Sequence, residues 1–538
     1  MANAQSTASV TARPAMPGYA VVATLAAALS PERAALATFA VLVSVIAAAI
    51  LLMTGGHLIY SLDDPYIHVA MAERLMKGHY GINLGEVTSP SSSVIWPFLL
   101  LPTVWTPLGL HTPLLLNIAF GAGTALVLGR FAARLELPET WPHAEPTRIA
   151  IACVLVVATN LVGLAFTGLE HNLQVLIAAL VALALVEHCR GVALPMWVLA
   201  LAALGPSVRY EMFAVTAAVG IVLLADRRWR DAVLLGAASL ALPLALAAFL
   251  VANGNFPLPN SVMTKLHIGA GAAAGSEGAL TLIWGWIAKT AKAYVQESFA
   301  AKTAMLACIF TAAWLCRTSE GRWRNLSAAA LVAGVLHLIA GQFGWFFRYE
   351  VYALTFCGMI VIAAIAPRSP KAALYGVVLT ACAYVGALGL TPRGALNIYE
   401  QQYQMHRFVQ EHYRKAFAVN DLGWVSIGLD DKTYVLDLWG LASNEAVRQR
   451  DKSPEWLDEV TRRHGAGLAM FYGVAFRGIP ASWQKAGELR LASKRVTASD
   501  ETVLIYATAV GDAAEIKRAL AAFRPKLPRG VELVIEQR

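Results

Sequence analysis

The sequence predicts a polytopic α-helical membrane protein with a C-terminal α/β extracytoplasmic domain, and three observations carry that reading. Of 538 residues, 57% are hydrophobic and only 14% charged, at a mean hydropathy of +0.55; a soluble chain carries about a quarter of its residues charged. Of the 78 charged residues, 39 fall after residue 392, which leaves the first three quarters nearly charge-free. Apolar runs long enough to cross a bilayer recur throughout that charge-poor part. These features exclude a disordered chain and argue against a water-soluble enzyme. The net charge of +8 does not point to nucleic acid, because excess Lys and Arg in a membrane protein marks cytoplasmic loops.

Three regions follow. Residues 1–33 read as a cytoplasmic tail with an interfacial segment, 34–391 as the membrane domain, and 392–538 as the periplasmic domain. Spanning runs fall near 34–54, 113–130, 147–166, 169–187, 210–225, 231–252, 299–316, 326–344, 349–366 and 371–390, with a shorter one at 192–206. The stretch 94–109 is interrupted by Pro97, Pro102 and Pro107. Reading it as a dip rather than a crossing puts the basic loops, such as Asp226–Arg230 and Arg317–Arg324, on one side. The positive-inside rule then gives eleven spans, with the N-terminus in the cytoplasm and the C-terminus outside. The six cysteines lie in or beside apolar runs without zinc spacing, and read as buried thiols.

In the tail, Ala416–Ile427, Thr433–Leu438, Gly467–Tyr472 and Thr502–Ala507 read as strands. Pro454–His464 and Gly511–Phe523 read as helices. A Gly/Ala/Ser patch at 269–276 reads as a mobile loop between spans seven and eight.

That topology sends every polar motif to the outer face: Asp63-Asp64-Pro65-Tyr66, Thr167-Gly168-Leu169-Glu170, Arg209-Tyr210-Glu211, Pro259-Asn260-Ser261 with Lys265, and Arg348-Tyr349-Glu350. Asp63 and Asp64 open a helical stretch, where carboxylates also suit the helix dipole. As a pair at a membrane surface they can supply a general base and a second base or metal ligand.

The first outer loop, within 55–112, continues as Gly78-His79-Tyr80-Gly81, Asn83-Leu84-Gly85-Glu86 and Thr88-Ser89-Pro90. With Asp63-Asp64-Pro65-Tyr66-Ile67, this resembles the first loop of GT-C fold membrane glycosyltransferases. The likeness is to the mycobacterial-type arabinofuranosyltransferases that add terminal β-(1→2)-linked arabinofuranose. Pro65, Leu84 and a shorter gap before Thr88 depart from that pattern. Thr167–Glu170, Asn253–Ser261 with Lys265, Arg348-Tyr349, Asn420–Gly423 and Asp437–Leu441 extend the resemblance in order along the chain.

The resemblance implies a GT-C fold of about 11 spans with periplasmic juxtamembrane helices, set in a bacterial inner membrane. It implies transfer of a sugar, arabinofuranose in the resembled family, from a polyprenyl-phosphate donor. The acceptor would be an envelope glycan, a glycolipid or a surface protein, with the lipid bilayer as the other partner and no nucleic acid. Asp63 would be the general base, with Asp64 positioning it or holding a divalent cation such as Mg or Mn. Arg348, Lys265 and Tyr349 would hold the donor phosphate, Arg as a fork and Lys as a point charge. Tyr66, His79, Glu170, Arg209, Glu211 and Asn260 would contact substrate. Simpler roles compete: Arg348 and Tyr349 in an interfacial aromatic cluster, Lys265 as a solvated charge, Arg209 with Glu211 as a self-satisfied ion pair. Two other functional classes compete as well, a secondary transporter of envelope precursors and a non-catalytic envelope scaffold. The span interiors are nearly free of ionisable residues, which disfavours the transporter.

Overall fold

The computed structural model describes residues 30–266, 298–449 and 451–537. The tail 1–29 and the Gly/Ala/Ser patch at 269–276 lie outside the described residues. The chain is mostly helical with a small sheet near its C-terminus. Among the described residues, eight helices are long and apolar enough to cross a membrane: Pro31–Met53, Thr112–Ala133, Ala144–Thr167, His171–Cys189, Trp229–Ala252, Phe299–Thr318, Gly321–Ala340 and Pro370–Tyr413. Three shorter apolar helices, Met196–Val208, Tyr210–Ala225 and Val351–Ile365, pack among them.

Local sequence explains the ends and breaks. Ser30 and Ser369 cap helices that begin on Pro31 and Pro370, where a missing N–H costs nothing. Ala144–Thr167 is broken by Asn160, whose φ of 46° is one Asn tolerates well. The proline-interrupted stretch 94–109 forms a five-residue helix, Trp96–Leu100, and a 3₁₀ turn, Leu101–Thr103. Neither is long enough to cross a bilayer. The last long helix runs through Pro392 to Glu400 and on from Gln402 to Phe408, so the change in composition at 392 coincides with no break in the backbone.

The sheet strands are β1 Phe417–Val419, β2 Val435–Asp437, β3 Leu468–Tyr472, β4 Gln484–Arg490, β5 Thr502–Ala507 and β6 Glu532–Ile535, in the order β2-β1-β3-β5-β4-β6. β2, β1 and β3 are parallel, with Val419 beside Asp437 and Met470; the other pairs are antiparallel. The strand expected over Ala416–Ile427 shrinks to three residues, because the chain turns at Asn420–Gly423 into a 3₁₀ turn at Trp424–Ser426. β4 and β6 escape the sequence reading, since Lys485, Glu488, Arg490 and Glu532 interrupt the apolar alternation.

The loop that follows helix Asp64–Leu75 docks this domain. The Asn83 side chain both accepts from Val435 N and donates to Val435 O, at 2.9 Å each. It thereby covers the open edge of β2, as a neighbouring strand would. Glu86 accepts from Tyr434 Oη at 2.9 Å and from Asn444 N at 2.7 Å. Arg74 and Lys77 converge on Asp431. The turn leaving the carboxyl end of β1 meets Asp63, and the turn after β2 brings Leu441 toward Asp64.

Candidate active site

Helix Asp64–Leu75 begins at the paired carboxylates, and its geometry separates them. Asp63 points away from solvent and is 6% exposed. Its Oδ2 accepts from Gly423 N at 2.6 Å and its Oδ1 from Trp424 N at 2.9 Å, so both oxygens grip the turn after β1. The approach is close enough that a Cβ on Gly423 would lie 2.0 Å from the Asp63 carbonyl oxygen. Burial, and the carboxyl of Asp421 beside it, push the Asp63 carboxyl well above the usual range. Burial also raises Asp421, which accepts from Gln402 at 2.7 Å. Two carboxyl groups this close favour a single shared proton. Asp63 is a clamp between the domains.

Asp64 faces the other way, with its side chain 37% exposed. It lines a recess of about 50 Å³ together with His68, Glu170, Arg209, Ser261, Arg348 and Leu441, among others. Each of the five polar motifs contributes at least one residue to this recess. His68 stands four residues after Asp64, on the same helix face. Leu441 comes from the turn after β2, which Asp437 holds by accepting from Trp439 N and Ala442 N at 2.8 Å each.

The charges are unevenly satisfied. Arg209 is spent, donating to Glu170 Oε1 at 2.7 Å and through Nε and Nη2 to both oxygens of Glu211. Arg348, 2% exposed, donates from Nη2 to Asp64 Oδ2 at 2.8 Å and to Tyr349 Oη at 2.9 Å. Among the described residues, its Nε and Nη1 are buried without a hydrogen-bond partner, as are Glu170 Oε2 and Ser261 Oγ. A buried polar group left unpaired costs about 1–3 kcal/mol, more for a charged one, so these atoms call for a partner from solvent or a ligand. The Tyr349 ring lies between the two guanidinium groups, 4.8 Å from Arg348 Cζ and 5.3 Å from Arg209 Cζ.

Arg348 is delivered by an unusual turn. Gly344, Trp345, Phe346 and Phe347 have φ of 79°, 37°, 65° and 59°, a left-handed run that costs roughly 1–2 kcal/mol for each non-glycine residue. Asn160 Nδ2 donates to Phe347 O at 2.8 Å, and Glu350 Oε2 accepts from Gly344 N at 3.0 Å. These bonds hold the run in place.

Next to the recess opens a largely apolar cavity of about 660 Å³ between helices, and Ser92 and Arg209 line both. Its wall runs from Tyr210 to Gly220 along one helix, about 15 Å of depth at 1.5 Å per residue. Ala232, Leu235, Gly236 and Leu336 form the facing walls.

Several expected site residues sit elsewhere. Tyr66 is buried against Trp424, ring centroids 4.0 Å apart, and accepts from Tyr60 N, so it packs rather than binds. His79 Nε2 is 3.1 Å from Glu86 O and holds the loop. Asn260 donates to Asn444 Oδ1 at 3.1 Å, a contact to the tail domain. Glu211 lines the large cavity rather than the recess. Lys265 belongs to helix Asn260–Leu266, and its side chain lies outside the described residues. Among the described residues no group of three or more His, Cys, Asp or Glu is placed to hold a metal ion, and the oxygen of Asp64 considered for one accepts from Arg348.

Residues 396–506 match a family model described as a domain of unknown function (DUF8728), which covers most of the tail domain and none of the recess except Leu441. No curated protein and no solved structure matches the chain.

Proposed function

We propose that the chain is a GT-C-type glycosyltransferase of the bacterial inner membrane, taking a sugar from a polyprenyl-phosphate donor at the outer face. The observation that carries this reading is the adjacency of the two spaces: a small charged recess beside a long apolar cavity, with Arg209 and Ser92 in the wall of both. A lipid phosphate has that shape, with a charged head and an apolar chain. The eight long helices and three shorter ones suit eleven crossings.

The base in this reading is Asp64 rather than Asp63, because a group that takes a proton must reach the hydroxyl that loses it. Asp63 has both oxygens committed to backbone amides. The acceptor hydroxyl attacks the anomeric carbon as its proton passes to Asp64. The new carbon–oxygen bond forms while the bond from the anomeric carbon to the phosphate oxygen breaks, and polyprenyl phosphate leaves. Arg348 touches the base through Nη2 and has Nε and Nη1 to offer the phosphate. One guanidinium thus registers base and leaving group against each other. As the phosphate draws on that positive charge, Asp64 becomes the better base.

The test is incubation of the purified protein with a panel of polyprenyl-phosphate sugars, following their consumption by mass spectrometry. Turnover that is lost in Asp64→Asn supports the reading. A panel in which no donor is consumed, even in the presence of envelope extract as acceptor source, overturns it.

A further inference from the structure

Among the described residues, the recess contains a carboxylate oxygen that no donor meets. Glu170 is 1% exposed; its Oε1 accepts from Arg209 Nη1, while Oε2 is buried without a partner. Glu170 meets Arg209 as a carboxylate meets a guanidinium, through a charge-assisted bond of 2.7 Å. Oε2 is therefore an acceptor only, and the group that satisfies it must bring a hydrogen. A phosphate oxygen would be repelled; a hydroxyl would be held.

The size of the recess narrows which hydroxyl. It is the smaller of the two spaces, about 50 Å³ against about 660 Å³, so the groups on its wall face neighbouring atoms of a bound sugar. Asp64 and Glu170 line that same small space. If Asp64 serves the anomeric carbon, a hydroxyl within reach of Glu170 belongs to a neighbouring ring atom.

We propose that Glu170 is a specificity-determining residue that accepts a hydrogen bond from the 2-hydroxyl of the donor sugar, the hydroxyl next to the anomeric carbon. This rests on the glycosyltransferase reading and narrows its substrate class to sugars bearing a free 2-hydroxyl. The site selects by penalty: a 2-deoxy sugar fills the recess but leaves a buried carboxylate oxygen unpaired, the situation in which enzymes discriminate most strongly against a missing hydroxyl. A bond to the 2-hydroxyl also strengthens as positive charge builds at the adjacent anomeric carbon.

The experiment compares polyprenyl-phosphate arabinofuranose, its 2-deoxy counterpart and sugar-free polyprenyl phosphate on wild type and Glu170→Gln, by binding and by donor consumption. Gln retains an oxygen for Arg209 but presents an amide donor in place of Oε2. Wild type is expected to prefer the 2-hydroxy donor by at least about tenfold, and Glu170→Gln to lose that preference while binding sugar-free polyprenyl phosphate as wild type does. If Glu170→Gln fails to fold, the wild-type preference decides alone. Equal handling of the two donors by wild type, or an undiminished preference in folded Glu170→Gln, overturns the proposal and leaves the lipid-phosphate reading standing. Failure to bind any of the three lipids overturns both.

Discussion

Asp64 Oδ2 and Arg348 Nη2 meet at 2.8 Å although 284 residues separate them in the chain. The contact ties the start of helix Asp64–Leu75 to the turn that precedes helix Val351–Ile365. It is also where the proposed base and the proposed phosphate ligand touch, and the first predictions concern these two residues.

Asp64→Asn should lower glycosyl transfer by about 10²–10⁴-fold, the usual worth of a general base, with little change in thermal unfolding. Asp63→Asn should do the reverse in emphasis. Its amide would turn a donor toward the Gly423 or Trp424 N–H, at a cost of about 1–3 kcal/mol for the unsatisfied group. Single-turnover rates and melting curves on both variants separate the roles. Loss of transfer in Asp63→Asn at unchanged melting temperature, with Asp64→Asn active, would reverse the assignment.

Arg348→Lys keeps a charge but not the fork. It should weaken binding of polyprenyl phosphate by about 10-fold or more, since a hydrogen bond to a charged group contributes about 1.5–3 kcal/mol. Arg348→Ala should weaken it further. Isothermal titration with short-chain polyprenyl phosphate in detergent measures this; unchanged affinity in both variants would remove Arg348 from the phosphate site.

Gly236 lines the apolar cavity, and a Cβ there would meet nothing within 4 Å. Gly236→Leu should therefore fold normally and fill part of the space. It is expected to raise KM for long-chain donors several-fold while leaving short-chain donors nearly unaffected. Equal effects on both chain lengths would argue that the lipid runs elsewhere.

Gly423→Ala introduces a Cβ 2.0 Å from the Asp63 carbonyl oxygen, a backbone clash that no rotamer change can relieve. The turn must move, which should destabilise the docking of the tail domain by about 1–3 kcal/mol or more. Limited proteolysis is expected to release the sheet domain sooner than in wild type. Unaltered protease resistance would mean the turn after β1 is softer than its contacts indicate.

Much of this architecture is legible in the residues. Apolar runs and Pro/Ser caps mark the helices, and Pro97, Pro102 and Pro107 mark the stretch too broken to cross. The topology expected from the basic loops gathers the five polar motifs on one face, and each sends at least one residue to the recess. What sequence does not carry is direction within a motif. Asp63 and Asp64 are adjacent and chemically identical, and only the helix start at Asp64 sends one toward Gly423 and the other into the recess. Asn83 and Glu86 read as parts of a loop motif, but their partners lie about 350 residues away on the edge of a sheet. His68 carried a usable signal in its spacing from Asp64. Asp421 and Leu441 lie in the two tail motifs of the resemblance, but what each touches is set by the docking of the tail domain.

The left-handed run Gly344–Phe347 has a practical consequence for handling the protein. It is held by Asn160 at the start of one helix and Glu350 at the start of another, so Arg348 keeps its place only while this rim of helix ends stays closed. A detergent that loosens the rim would let this turn relax before any helix melts. Samples could then look folded by circular dichroism and still lack a formed site. Lipid nanodiscs, which press on the rim as a bilayer does, are the medium in which the Asp64–Arg348 contact should persist.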